Sequence, residues 1–294
     1  MRWYGNVEEL ASAPADGYDA IWALGYIPGE VAESLLNRHE TLRWLHYSST
    51  GVEHMPLTLF RDRRIVLTNG AGLYAQPIAE HVVMCMLAAR LNLLGVLRAQ
   101  GAATWAPEAE SDQELSGSSA LILGYGQLGH AVGVRLRALG VNVLATRRSG
   151  TVADDNGVRD AGDWRKCLPD VDFVVLTLPS TQETHGIIGA TELAAMKPGA
   201  WLVNVARGTL VDEDALVEAL TSGRLGGAAL DAFREEPLPV DHALWRLENV
   251  ILSPHSSWRS TRLDARQAEL FGDNLRRFVE GRTLRNVVQL DAGY

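Results

Sequence analysis

Two cysteines, Cys85 and Cys167, are all that 294 residues contain. So few and so isolated, they exclude a disulfide framework and a cysteine-based zinc site, and they suit a reducing cytosol. No zinc-ligand spacing of His and Cys occurs elsewhere, so no metal is expected. Positive charge is also short: 27 Lys and Arg against 36 Asp and Glu leave a net charge of -9. A general nucleic-acid or anionic-membrane surface is therefore not expected, and any anion must meet a local basic site. Unbroken apolar runs are missing as well. The most apolar region, 78–97, is interrupted by Glu80, His81, Arg90 and Asn92, short of the ~20 apolar residues a membrane helix needs. It reads as one long helix, apolar on most sides and buried between domains or subunits. The N-terminus carries Glu8 and Glu9 where a signal peptide needs its apolar stretch, so export by that route is not expected.

What is abundant is core-forming material. Hydrophobic residues make up 47% of the chain, enough for one large domain or two ordinary ones. Between Ala120 and Ser253, apolar runs at 121–123, 141–145, 173–178, 201–205, 228–230 and 250–252 alternate with helical patterns. Such alternation implies right-handed crossovers and a doubly wound parallel sheet. Runs at 20–24, 42–47 and 65–67 repeat the pattern on a smaller scale, which predicts a second, smaller α/β domain. The stretch 101–117, with Pro107 and several acidic and small residues, reads as the crossing between them. The segment 270–294 is expected to return to the first domain.

The strongest local motif is Gly124-Tyr125-Gly126-Gln127-Leu128-Gly129. It follows an apolar run and opens a helical pattern with Leu128, Val132, Leu136 and Leu139 on one face, ending at Gly140. In that setting Gly124 permits the tight turn, Gly126 the close approach of a pyrophosphate and Gly129 the packing of helix on strand. Amides at the helix start then hold phosphate oxygens. The competing reading is a glycine-rich surface turn. At the end of the next strand, an NAD-binding unit usually places an acid for the adenosine ribose. Here the residues are Ala145-Thr146-Arg147-Arg148-Ser149. Two guanidinium groups and two hydroxyls suit a ribose phosphate, so NADP is expected over NAD, with NAD still possible. The alternative is a pair of solvated arginines, which leaves the missing acid unexplained.

Arg207, Glu236 and His255 each lie just past a short apolar run. In open parallel sheets, ligands bind outside the carboxyl ends of the strands, so these residues can converge there as carboxylate clamp, modulator and acid/base. Each has a bland competitor: a structural arginine, a solvated loop acid like Glu235, a satisfied histidine. His39, His185 and His242 have no comparable context and read as structural, while His54 and His81 stay open.

The segments 202–213 (Leu-Val-Asn-Val-Ala-Arg-Gly-Thr-Leu-Val-Asp-Glu), 229–233 with Glu236-Pro237, and Ser253-Pro254-His255 resemble the D-isomer-specific 2-hydroxyacid dehydrogenases, in particular the glyoxylate/hydroxypyruvate reductases. The resemblance extends to the glycine motif, Leu178-Pro179 with Thr184, Thr68-Asn69, Ala79-Glu80 and Ser49-Thr50-Gly51-Val52-Glu53-His54, and so covers nearly the whole chain. It implies two Rossmann-like domains: a doubly wound parallel sheet for the cofactor in 95–269, and a smaller flavodoxin-like substrate domain in 1–94 with 270–294.

The resemblance also implies roles. Arg207 binds the substrate carboxylate and polarises the 2-oxo group, work that suits a planar fork of donors. His255 exchanges a proton with the carbonyl oxygen, and Glu236 orients that imidazole. Backbone amides of Thr50, Gly51 and Val52 meet the carboxylate. Gly124, Gly126, Gln127, Leu128, Gly129, Thr146, Arg147, Arg148, Ser149, Leu178, Pro179, Thr184, Val205, Ala206, Asp231 and His255 line the cofactor, with Asp231 on the nicotinamide amide. The implied enzyme is a cytoplasmic, homodimeric NAD(P)H-dependent oxidoreductase interconverting a small 2-oxo acid and its D-2-hydroxy acid, without nucleic-acid or membrane partners.

Two departures stand out. The first apolar run comes early and abbreviated, so a peripheral element of the substrate domain is expected to be short or absent. After His255 comes Ser256-Ser257-Trp258-Arg259-Ser260, where relatives usually carry small residues and glycine. Trp258 either narrows the pocket or faces solvent, and Arg259 either binds a second anionic group or does the same. Two other readings remain: a dehydrogenase of a larger 2-hydroxy acid using NAD, and a dinucleotide-sensing corepressor without turnover. The acid/base pair and the absence of an appended tail disfavour the second.

Overall fold

The computed structural model describes Glu9 and residues 17–105, 114–148 and 158–293. The chain divides into two compact units, residues 1–73 with 260–294, and residues 74–259.

The smaller unit follows from period-two alternation in three short runs. Its elements are β1 (Ala20–Ala23), α1 (Gly29–Arg38), β2 (Trp44–Tyr47), α2 (Leu57–Asp62) and β3 (Val66–Asn69), with the strands parallel in the order β1-β2-β3. Ile21, Ala23, Leu45, Tyr47 and Leu67 join Ala32, Leu36 and Phe60 in one apolar cluster. Intervening residues point the other way, as a pleated strand requires. There the C-terminal helix, Leu263–Val279, lays Phe271 against Trp22 at 4.1 Å and Trp44 at 5.4 Å between ring centroids.

His46 sits fully buried on this second face. Thr68 Oγ1 accepts from Trp44 Nε1 at 2.8 Å and lies 2.8 Å from His46 Nδ1. The hydroxyl, which accepts from the indole, still has its proton to offer to Nδ1 of a neutral imidazole. Burial pushes the imidazole down from the ordinary 6.5 to about 4.

The larger unit contains α3 (Ala75–Arg90), α4 (Leu93–Gly101), β4 (Ser119–Leu123), α5 (Gln127–Ala138), β5 (Asn142–Thr146), β6 (Arg159–Asp160), β7 (Phe173–Leu176), α6 (Ala190–Ala195), β8 (Trp201–Asn204), α7 (Glu213–Thr221), β9 (Gly227–Leu230) and β10 (Val250–Leu252). Its seven strands are parallel in the order β10-β9-β8-β7-β4-β5-β6. Strands β4, β7, β8 and β9 are buried on both faces, as a sheet covered on both sides requires. Leu121, Leu123, Val174 and Leu176 pack with Leu193 of α6 and Leu216 and Leu220 of α7. Ala120, Ile122, Phe173 and Val175 pack with Val82 and Met86 of α3 and Val132 and Leu136 of α5. The sheet is doubly wound, and its switch point lies between β4 and β7.

Several boundaries differ from the sequence reading. The apolar region 78–97 is two helices, bent by 68°. Asn92 adopts a left-handed conformation (φ 45°) and its side chain accepts from Gly95 N at 3.2 Å, so it stops one helix and caps the next. Among the described residues no single helix is long and apolar enough to cross a membrane. Helix α3 belongs with 74–259 and not with the first domain, because Ala79, Val82, Cys85 and Met86 pack into the larger sheet's core. Its last residue, Arg90, pairs with Asp172 at 3.2 Å at the start of β7. Burial opposes the charge on Asp172, but hydrogen bonds from Lys197 and from Ser119, with the Arg90 charge, outweigh it and hold the carboxyl down at about 2. The expected crossing at 101–117 falls partly outside the described residues, and α4 fills its start. The return to the smaller unit begins at 260 and not 270. Strand β6, with no apolar residue, had no signal to read.

The buried His46 generates a pH-dependent stability. The unfolded imidazole titrates near 6.5 and the folded one near 4, so protons favour the unfolded chain within that window. Stability is complete above pH 6.5 and falls as pH drops toward 4, by up to about 3 kcal/mol from this residue. Urea unfolding of wild type and His46→Gln between pH 7 and pH 4 should show the variant losing less; parallel curves would contradict the assignment.

Candidate active site

The glycine turn after β4 is fixed by its neighbours. Gly124 has φ 103°, and a Cβ there would lie 2.9 Å from the backbone of Thr177 and Leu178. A Cβ on Gly129 would lie 2.3 Å from Gly124 O. The carbonyl of Thr146, at the end of β5, accepts from Gly124 N and Tyr125 N at 3.0 and 2.8 Å. Gly126 differs, because a Cβ there meets nothing within 4 Å. The fold itself does not require that glycine, whereas a phosphate approaching the backbone would. The amides of Gln127, Leu128 and Gly129 find no acceptor among the described residues, as expected at a helix start built for an anion. These residues fit a dinucleotide's pyrophosphate.

Around that turn, Arg147 and Arg148 are exposed past the end of β5, and Arg148 lies 3.6 Å from Glu183. Ser149 lies outside the described residues. Across the switch point, Thr184 Oγ1 donates to Pro179 O at 2.7 Å and accepts from Thr181 N at 2.8 Å. That shapes the loop beginning at Leu178, which packs against the core. Val205 and Ala206 are buried at the end of β8.

The register of β8, β9 and β10 sets Asn204, Leu230 and Leu252 side by side. Three loops therefore leave from one line. On the first, Asn204 accepts from Ala206 N at 3.1 Å and donates to Arg207 O at 2.9 Å, stapling the turn that presents Arg207. Arg207 Nη1 donates to Ala206 O at 2.9 Å. On the second, Glu236 Oε1 accepts from Phe233 N at 2.9 Å. Its other oxygen lies 2.8 Å from His255 Nδ1 on the third. An N–H at Nδ1 facing this carboxylate leaves Nε2 as the nitrogen available to a substrate. Both side chains are more than a third exposed, at 37% and 40%.

Asp231 ties the second loop to the third. It is 1% exposed. Oδ1 accepts from Ser253 Oγ at 2.6 Å, Ser256 N at 2.9 Å and Ser257 N at 3.2 Å. Oδ2 accepts from Ser257 N at 3.1 Å and from Ser257 Oγ. A buried carboxylate needs such donors when no cation is near. The sequence reading gave Ser253, though it stands in the Ser253-Pro254-His255 motif, and Ser257 no role toward Asp231. His81 Nε2 lies 3.3 Å from Ser253 Oγ, which links α3 to the same network. Cys85 has its thiol pushed up to about 12 by burial and by the Asp231 charge, and so is no nucleophile at neutral pH.

A second histidine–glutamate pair holds the far side of the Glu236 loop. Glu213, buried at the start of α7, accepts from Arg234 N at 3.1 Å and lies 3.1 Å from His242 Nε2. His242 Nδ1 accepts from Leu244 N at 3.3 Å. In the smaller unit, Thr50, Gly51 and Val52 follow β2, Val52 is buried, and Asn69 Nδ2 donates to Thr50 O at 2.9 Å. Their three amides find no acceptor among the described residues. His54 contacts the rings of Tyr26 and Tyr47. Among the described residues, no group of three or more His, Cys, Asp or Glu is placed to hold a metal ion.

Gly208, next to Arg207, is where the first two loops touch. A Cβ there would stand 1.9 Å from Phe233 C, and Phe233 N is the donor that holds Glu236. Gly208→Ala should therefore destabilise the protein by ~2 kcal/mol or more and lower turnover through the displaced Glu236. Unfolding and kinetics indistinguishable from wild type would show that this approach does not matter.

The family model for the D-isomer specific 2-hydroxyacid dehydrogenase, NAD binding domain, matches residues 83–257. The glyoxylate/hydroxypyruvate reductase B of Pectobacterium carotovorum is 34% identical over 293 residues, covering 96% of this chain and 91% of the relative. Among solved structures, the NADPH-dependent glyoxylate/hydroxypyruvate reductase of Sinorhizobium meliloti, in complex with NADP and sulfate, is 29% identical with a TM-score of 0.82, covering 95% of this chain and 87% of that one. A probable 2-hydroxyacid dehydrogenase of Rhizobium etli, in complex with NADP, HEPES and L(+)-tartaric acid, is 28% identical with a TM-score of 0.81, covering 93% and 86%. With the doubly wound sheet, the glycine turn and the paired Glu236 and His255, these matches place the chain in the D-isomer-specific 2-hydroxyacid dehydrogenase family, whose members are NAD(P)-dependent oxidoreductases.

Proposed function

We propose that this protein reduces a small 2-oxo acid, glyoxylate or hydroxypyruvate first among them, to the D-2-hydroxy acid, with NADPH preferred to NADH. The observation that carries the reading is the 2.8 Å contact between Glu236 and His255 at the carboxyl edge of the sheet. When bound, the dinucleotide supplies a hydride to the carbonyl carbon. His255 supplies the proton from Nε2 to the carbonyl oxygen, while Glu236 holds the opposite nitrogen and keeps the ring in place. Arg207 takes the substrate carboxylate in its fork of donors and draws on the 2-oxo group. Within the smaller unit, the amides of Thr50, Gly51 and Val52, which find no acceptor among the described residues, are proposed as donors to an anionic group.

Preference for NADPH rests on Arg147 and Arg148, exposed where a ribose acid would otherwise stand. The bound NADP of the Sinorhizobium and Rhizobium relatives supports it. A homodimer is proposed from the apolar side chains left exposed along α4 and the bend before it: Leu91, Leu93, Val96 and Leu97, a patch of the kind that marks protein–protein contact. The cytoplasm is the proposed location, from the two free cysteines.

The primary test is NADPH oxidation over a panel of 2-oxo acids with NADH run beside it. Turnover of glyoxylate and hydroxypyruvate with NADPH supports the reading; activity confined to larger acids with NADH contradicts it. Replacing Arg147 and Arg148 together with Ala should raise KM for NADPH about tenfold or more and leave KM for NADH nearly unchanged, and equal effects would remove the phosphate role. Light scattering should give twice the chain mass, and a monomer at assay concentration would refute the dimer.

A further inference from the structure

The loop that carries His255 is held in an unfavourable conformation. His255 has φ 48°, in the left-handed region that residues with a Cβ rarely adopt. A backbone in that state persists only where its surroundings over-determine it. On its N-terminal side, Asp231 takes the hydroxyl of Ser253, and His255 N donates to Ser253 O at 2.9 Å. On its C-terminal side, Asp231 takes the amides of Ser256 and Ser257. The carbonyl of His255 itself accepts from Trp258 Nε1 at 2.7 Å. The indole is steadied in turn, with Tyr74 against it edge-on at 6.2 Å and 89° and the Arg259 guanidinium 5.9 Å from its ring centroid.

We propose that Trp258 is a positioning residue for His255, its indole N–H fixing the His255 carbonyl and with it the left-handed backbone that presents the imidazole to Glu236. The proposal rests on the reading of His255 as the proton donor. It assigns a role to one of the two side chains by which this loop departs from the small residues expected there, and it makes Trp258 part of the support for the reacting group and not a pocket wall. Losing the bond frees the loop to relax toward ordinary φ values, where Nδ1 no longer meets Glu236. The fraction of molecules with a correctly aimed Nε2 then falls, while the glycine turn and the arginines after β5 are untouched. A neutral hydrogen bond's net contribution corresponds to roughly a few-fold to tenfold change in such a population.

The test uses Trp258→Phe, which keeps a ring against Tyr74 and removes the N–H. Steady-state kinetics with NADPH and glyoxylate, thermal unfolding and the solvent deuterium isotope effect on kcat are measured beside wild type and His255→Ala. The expected result is a kcat lower by about five- to tenfold, an unchanged KM for NADPH, an unchanged Tm and a larger isotope effect, because proton delivery has become more limiting. Wild-type kcat in Trp258→Phe, with His255→Ala inactive, overturns the positioning role and leaves the catalytic reading standing. Full turnover in His255→Ala overturns the catalytic reading itself. A loss of kcat accompanied by a matching fall in Tm, with no change in isotope effect, marks Trp258 as merely structural and also overturns the proposal.

Discussion

The buried carboxylate of Asp231 is the constraint on which the site depends. It has no ion-pair partner among the described residues and is 1% exposed. A charge so placed is tolerable only when donors surround it. Those donors are the amides and hydroxyls of the loop that carries His255. The need to satisfy Asp231 therefore folds that loop back onto the end of β9, and His255 is carried to where Glu236 can meet it. Removing the charge would release the loop, although among the described residues the hydrogen bonds of Asp231 go to Ser253, Ser256 and Ser257 and not to the imidazole or Glu236.

The sheet supplies the rest of the precision. Parallel pairing in register aligns the last residues of β8, β9 and β10, so loops of different length start from one line. The loops are then cross-braced by backbone, with Gly208 against Phe233 and Phe233 N on Glu236, and by the Glu213–His242 pair behind them. Rigid elements with short braced loops hold acid/base groups better than long free ones. The division is also chemical: the turn at the switch point between β4 and β7 presents backbone amides without an acceptor among the described residues, while the edge at β8 to β10 presents the side chains of Arg207, Glu236 and His255.

Much of this was legible in the sequence, for identifiable reasons. Strands buried on both faces leave continuous apolar runs, and those of the larger sheet fell where the runs did. The glycine turn could be read because two of its glycines answer steric demands of the fold and the third does not. Other features left no trace. Strand β6 is Arg159-Asp160, an exposed pair with no apolar residue to mark it. The break at Asn92 depends on one residue adopting φ 45°, which helical periodicity does not encode. The allegiance of α3 to the larger unit is decided by which sheet its buried side meets, a long-range fact. The serines around Asp231 are ordinary in composition, and only the fold makes them ligands of a buried charge.

The central claim is that the imidazole at the edge of this sheet performs the proton transfer. It is tested most directly by His255→Ala, assayed for NADPH-dependent turnover and, separately, for NADPH binding by cofactor fluorescence. The account predicts turnover lost with binding nearly intact, because the glycine turn after β4 and the arginines after β5, proposed to meet the phosphates, lie across the switch point from His255. Turnover retained in that variant would contradict it.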